Sequence, residues 1–152
     1  RSGQPRQSFA NRPGKLHHIG STAVPGLAAK PTIDLLLEVA ADEDLTKVGQ
    51  VLTAAGWIAC PRPDQPPPGM MFLKGYTPDG FAEKVFHLHL RYGSDHDEIY
   101  FRNYLLAHPE VARQYAGLKR ELQQKYEFDR DAYTANKSDF VRQYTRLGRS
   151  QN

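Results

Sequence analysis

The sequence predicts an α/β (α+β) domain, a sheet followed by a C-terminal helical lobe. Three observations predict it. Between residues 15 and 92 the large apolar residues fall into short runs of period 2 or into continuous apolar runs, as strands do. One amphipathic helical pattern, Asp42 to Ala55, interrupts them. After Tyr92 the period lengthens to 3.6 and stays there, and strands first with helices after is the order of a sheet-plus-lobe architecture.

Leu16 to Ile19 reads as a short strand running into Gly20-Ser21, and Thr32 to Val39 as a second one, largely buried because Leu35, Leu36 and Leu37 are contiguous. Between them Pro25, Gly26 and Pro31 limit any helix to about one turn. Asp42, Glu43 and Asp44 suit a helix N-terminus, Leu45, Val48 and Leu52 share one face, and Gly56 is placed to cap the end. That helix is expected to cross back over the sheet. Trp57 to Cys60 reads as a strand, and the following PRPDQPPPG, with five of the eleven prolines, as an irregular loop. Met70 to Lys74 and Glu83 to Tyr92 are expected to be antiparallel strands around a Tyr76–Gly80 turn. In the second, Val85, His87, His89 and Arg91 alternate with Phe86, Leu88 and Leu90, so the apolar set should face the core and the histidines a cleft or solvent.

In the lobe, Ser94 and Asp97 form an S-x-x-D start for a helix carrying Tyr100, Tyr104 and Leu105. Pro109 suits the first position of the next, whose stripe is Val111, Tyr115, Leu118, Leu122 and Tyr126. A last helix is expected to bury Tyr133, Phe140, Val141, Tyr144 and Leu147. Residues 15–152 are thus expected to be one domain, 15–92 its sheet core and 93–152 its lobe. Residues 1–14, rich in Ser, Gln, Pro, Arg and Gly, read as a flexible arm or an expression remnant.

Composition narrows the function. No apolar run nears the roughly 20 residues of a membrane span, and the single Cys60 permits neither an internal disulfide nor a CxxC zinc site. No signal peptide is visible, which makes the cytoplasm the default location. The net charge of +3 divides unevenly: residues 1–33 hold five basic and no acidic side chains. The helices carry mixed charge without a Lys/Arg stripe, which argues against nucleic acid, and the local excess points to a small anionic ligand.

The densest chemical cue is HHIGSTAVPGLAAKPTIDLLLEV, residues 17–39. A Gly20-Ser21 pair after a strand allows close approach of an anion, and Asp34 follows thirteen positions after Ser21 on the next strand. That layout is similar to the polymerase β-like nucleotidyltransferases, in which Gly-Ser holds the triphosphate and acidic residues on the next strand bind metals. Lys30 closes the loop and Arg91 continues the histidine face, so both rank as phosphate contacts beside Gly20 and Ser21. Two-metal transfer needs carboxylates at i and i+2, with ions roughly 3.5–4 Å apart. Position i+2 is Leu36, and Glu38 lies about 13 Å from Asp34 along the strand. His87 and His89, with Cα atoms about 6.6 Å apart, complete a metal site with Asp34 if their strand neighbours the Asp34 strand, or else contact phosphate or fill a structural role. Two imidazoles and one carboxylate favour Zn²⁺, Mn²⁺ or Fe²⁺ over Mg²⁺.

The longer stretches HIGSTAVPGLAAKPTID, FHLHL and FRNYLLAHPEVARQYAGLKRELQQKYEFDRDAYTANKSDF closely resemble the GrpB family, a bacterial group assigned to the nucleotidyltransferase superfamily. The resemblance covers roughly residues 17–147. It implies a nucleotidyltransferase-like mixed sheet and a nucleotide or other phosphorylated small molecule as partner. Members fused behind dephospho-CoA kinase hint at coenzyme A metabolism. Two functions follow as expectations. One is a metal-dependent nucleotidyltransferase with Asp34 catalytic. The other is a non-catalytic phosphate-ligand-binding or partner module that has lost the second metal carboxylate.

Overall fold

The structure, a computed structural model, describes residues 15–27 and 32–151. The proposed arm, residues 1–14, and Lys30 lie outside the described residues. Five strands, β1 (Lys15–Ile19), β2 (Thr32–Val39), β3 (Ile58–Pro61), β4 (Met70–Thr77) and β5 (Gly80–Tyr92), form one mixed sheet in the order β1-β2-β5-β4-β3. Only β2 and β5 pair in parallel; the other three ladders are antiparallel. Helix α1 (Leu45–Ala54) lies between β2 and β3 in the chain, and α2 (Asp97–Ala107), α3 (Pro109–Lys125) and α4 (Arg130–Ser150) follow the sheet.

The described residues divide into two compact units, 15–22 with 32–95, and 23–27 with 96–151. In the first, Leu37 and Val39 of β2, Leu88 and Leu90 of β5 and Phe72 of β4 form one apolar face, which packs against Val48 and Leu52 of α1 and against Trp57. Asp44 caps α1 by accepting from the Thr46 and Lys47 amides, and Gly56, at φ +98°, takes the left-handed position beyond its end. Strands β4 and β5 extend to Thr77 and Gly80, so the turn expected over Tyr76–Gly80 shrinks to Pro78-Asp79. Cys60 sits half-buried on the edge strand β3.

In the second unit, Val24 and Leu27 join Tyr104, Leu105, Val111, Ala112 and Tyr115 in a core that also holds Phe140, Val141 and Tyr144. Aromatic pairs knit it together: Tyr115 stacks on Phe140 at 5.1 Å and Phe101 meets Tyr115 edge-on at 5.3 Å. Pro109 opens α3 as expected. Two local expectations are corrected. The N-cap of α2 is His96, not Ser94, and its side chain makes no capping bond; Asp97 and Glu98 in the first turn meet the positive end of the helix instead. In α4 the buried positions are Thr145 and Gly148, while Leu147 is 39% exposed. A Cβ on Gly148 would stand 2.8 Å from the Tyr100 carbonyl, so α2 and α4 approach closely there and turn that side of α4 inward.

Candidate functional site

The sheet has one apolar face and one on which polar side chains alternate with buried apolar ones, and the site lies on the second. Strand alternation puts Asp34, Leu36 and Glu38 on the side opposite Leu35, Leu37 and Val39. The parallel register sets Asp34 beside His87, Leu36 beside His89 and Glu38 beside Arg91. The antiparallel register on the other flank sets Ile19 beside Asp34 and His17 beside Leu36.

Asp34 stands at the centre of this cluster. Its Oδ1 lies 3.4 Å from His89 Nε2 and 3.7 Å from His87 Nδ1. Both rings are held from behind: a 2.8 Å hydrogen bond joins the Tyr76 hydroxyl to His87 Nε2, and His89 Nδ1 lies 3.2 Å from Gln65 Oε1. The Tyr76 and His87 rings also stack, 6.1 Å between centroids. A carboxylate only accepts, so the tautomer that suits both neighbours of His87 carries its proton on Nδ1, with Nε2 accepting from Tyr76. Burial lowers the His87 pKa; the Asp34 charge opposes that shift, and His89 and Arg62 add to it. The group opens partly to solvent, with side chains 31% (Asp34), 26% (His87) and 15% (His89) exposed.

Gly20 closes the other side. It holds φ +77°, and a Cβ there would come 2.8 Å from Asp34 Oδ2 and 3.2 Å from Asp34 Cβ. Only glycine allows the turn to lie against the carboxylate in this conformation. Ser21 opens the single 3-10 turn Ser21–Ala23 that follows. Gly20, Asp34, His87 and His89 are therefore brought together, with Ser21 adjacent to Gly20 in the chain.

Arg91 shares their face but is 3% exposed and lies two residues beyond His89. Glu38, also buried, stands 3.3 Å from His17 Nε2 through Oε2. His18 points to the opposite face, is exposed, and hydrogen-bonds the Thr22 hydroxyl at 2.7 Å. Tyr76 and Gln65 were not legible as site residues. Tyr76 sits beyond a slip in the β4–β5 register between Lys74 and Tyr76, where Gly75 lies tight against the Lys84 backbone. Gln65 belongs to the proline-rich loop, 24 positions from the histidine it meets. Nothing local in the sequence marks either.

A second carboxylate does not stand two residues after Asp34. Leu36, where a second carboxylate would stand, is fully buried. Among the described residues no group of three or more His, Cys, Asp and Glu side chains is arranged to hold a metal ion. The far nitrogens of both imidazoles are engaged by Tyr76 and Gln65, which fixes the rings and leaves the nitrogens on the Asp34 side facing that carboxylate. Among the described residues, no helix is long and apolar enough to cross a membrane.

Comparisons with known proteins agree on kinship. A UPF0157 protein of Pseudomonas aeruginosa is 38% identical over 130 residues, covering 83% of this chain and 52% of that protein. The UPF0157 protein YqkA of Bacillus subtilis is 33% identical over 132 residues, covering 84% of this chain and 36% of that protein. The chain thus spans about half or less of these two relatives. The glutamate-rich protein GrpB of Alkalihalophilus pseudofirmus is 36% identical over 130 residues, 83% of this chain and 74% of that one. The crystal structure of the conserved protein GrpB from Enterococcus faecalis matches with a TM-score of 0.71 and 27% identity, over 95% of this chain and 88% of that chain. A structure of Cid1, described as having RNA terminal uridylyl transferase activity, matches with a TM-score of 0.54 over 82% of this chain and 39% of that chain, and at 13% identity it shares the fold alone. The model of the family described as GrpB protein matches residues 6–147, and so reaches further toward the N-terminus than the stretches from His17 onward. With its mixed sheet, its helical lobe and that match over most of its length, the chain belongs to the GrpB family.

Proposed function

We propose that this chain is a binding module for a phosphorylated small molecule of the nucleotide class, on a nucleotidyltransferase-like sheet without the paired carboxylates of metal-dependent transfer. The observation that carries this reading is Leu36. It occupies the i+2 position on the Asp34 face and is fully buried, while the next carboxylate, Glu38, is buried beside His17. Among the described residues Asp34 is approached by two imidazoles and by no second acid, a set that orients rings rather than holding a pair of metal ions. In this reading the Gly20-Ser21 turn receives the phosphate, with Lys30 and Arg91 as further cationic partners. Asp34 holds His87 and His89 so that their edges face the ligand. The likeness to Cid1 supports the nucleotide class at the level of the fold.

The test is calorimetric titration of the chain with ATP and UTP, with and without Mn²⁺, on wild type and Asp34→Asn, together with a pyrophosphate-release assay. The module reading expects nucleotide binding that does not require Mn²⁺. It also expects equal or tighter binding by Asp34→Asn, because a negative charge near the phosphate is removed, and no pyrophosphate from any nucleotide. Mn²⁺-dependent binding lost in Asp34→Asn, or release of pyrophosphate that depends on Asp34, would replace it with the transferase reading. No binding of either nucleotide would end both.

A further inference from the structure

Apart from the sheet and its polar face, the helical unit carries a cavity of about 580 Å³, within the roughly 300–1,000 Å³ range of small-molecule sites. Its wall is apolar: Val24, Pro25, Leu105, Pro109 and Ala112 contribute no side-chain hydrogen-bonding group. Among the described residues, the charge comes from one helix. Arg113 and Arg120, seven residues apart on α3, are the only polar side chains among the described residues of the wall, and both are cationic. Seven residues are two turns, so the two arginines lie on one stripe about 10.5 Å apart along the axis. Between them Ala116 and Gly117 keep the helix surface low. A Cβ on Gly117 would meet Arg120 Nη2 at 3.8 Å, so that guanidinium lies near this saddle in the helix surface, at Gly117.

Neither arginine has an acidic partner among the described residues. A guanidinium's planar fork matches a carboxylate or phosphate bidentately, and two flanking an otherwise apolar hollow complement a ligand with one anionic end and a hydrocarbon body. We propose that this cavity binds an unbranched aliphatic carboxylate of medium chain length, its chain between Leu105 and Ala112 and its carboxylate bridging Arg113 and Arg120. A long cation or a polar nucleotide would not satisfy this wall, which distinguishes the site from the Asp34 cluster. The inference does not depend on that cluster's function.

The test is titration of the intact chain with decanoate below its micelle concentration, followed by calorimetry and by amide shifts of α3. Butyrate and decyltrimethylammonium serve as controls. Saturable decanoate binding is expected, with butyrate and the cation at least about tenfold weaker, because each loses either the buried chain or the charge-assisted hydrogen bonds. Arg113→Gln/Arg120→Gln, at exposed positions that the core does not need, should weaken decanoate about tenfold or more. Ala116→Leu, which fills the saddle, should weaken it comparably. The proposal is overturned if decanoate gives no saturable shift, if the cation binds equally well, or if the double arginine variant binds as wild type does. Should Ala116→Leu fail to fold, the arginine variant and the chain-length series still decide the matter.

Discussion

Replacing Gly20 with alanine tests how the turn and the acid are joined. Gly20 and Gly93 have nearly the same backbone, φ +77° and +75°, but a Cβ at Gly93 would meet nothing within 4 Å while one at Gly20 would press on Asp34. Left-handed strain costs an L-residue about 1–2 kcal/mol, and the stiffer unfolded chain returns roughly 0.4–1 kcal/mol. Gly93→Ala should therefore lose on the order of 1 kcal/mol. Gly20→Ala carries the same strain and a contact of 2.8 Å to Asp34 Oδ2 and 3.2 Å to Asp34 Cβ. Overpacking of that kind adds about 1–3 kcal/mol, for a total of roughly 2–4 kcal/mol. At about 2–4 °C per kcal/mol for a chain of this size, the expected falls in Tm are roughly 2–4 °C for Gly93→Ala and roughly 4–16 °C for Gly20→Ala. Trp57, the only tryptophan, sits in the sheet core, so its fluorescence reports the unfolding of that unit. Ring-proton spectra of His87 and His89 give the second readout, since a displaced Asp34 moves both and Gly93→Ala should move neither. Equal melting of the two variants, or unshifted histidine signals in Gly20→Ala, would refute the close packing of turn and carboxylate.

Other consequences are open to measurement. Because burial holds the folded-state pKa of His87 below its ordinary value of 6.5, the unfolded chain takes up a proton first as pH falls. Stability should therefore be fully present above 6.5, decline as pH drops toward the depressed value, and level off below it; melts across this window should show a shallower decline in His87→Gln, and an unchanged slope would contradict the burial. Asp34→Asn removes the charge that opposes the shift, so the His87 ring should titrate at still lower pH by NMR. In the helical unit, Gly148→Ala should lower Tm despite alanine's better helix propensity, because the new methyl meets the Tyr100 carbonyl at 2.8 Å. Gly117→Ala, with only Arg120 Nη2 at 3.8 Å, should gain up to about 1 kcal/mol; reversed signs in thermal melts would show that α2 and α4 do not meet there.

The strands, helices and the core face of β5 follow from local pattern. Alternation through Val85–Arg91 separates histidines from leucines whatever the partner strands are, and Pro109 starts a helix wherever that helix packs. The same arithmetic places Leu36, not an acid, two residues after Asp34. Leu147 and Ser94 show where local pattern stops: a 3.6-residue period allows neighbouring stripes to be buried, and only the close approach at Gly148 decides between them.

The composition of the Asp34 site was readable as a list of residues, but their meeting was not. Whether His87 and His89 reach Asp34 depends on β5 lying parallel beside β2, a pairing between segments more than fifty residues apart, and one step of register would have turned both rings to the apolar face. Tyr76 and Gln65 enter only through that arrangement, one past a register slip and the other from an irregular loop. The arginine-flanked cavity is of the same kind, since Val24 and Leu105 are far apart in the chain and line one hollow only when packed. Periodicity is a property of neighbouring residues and is written into the chain. Juxtaposition is decided by which apolar faces bury one another, and that balance exists only in the folded molecule.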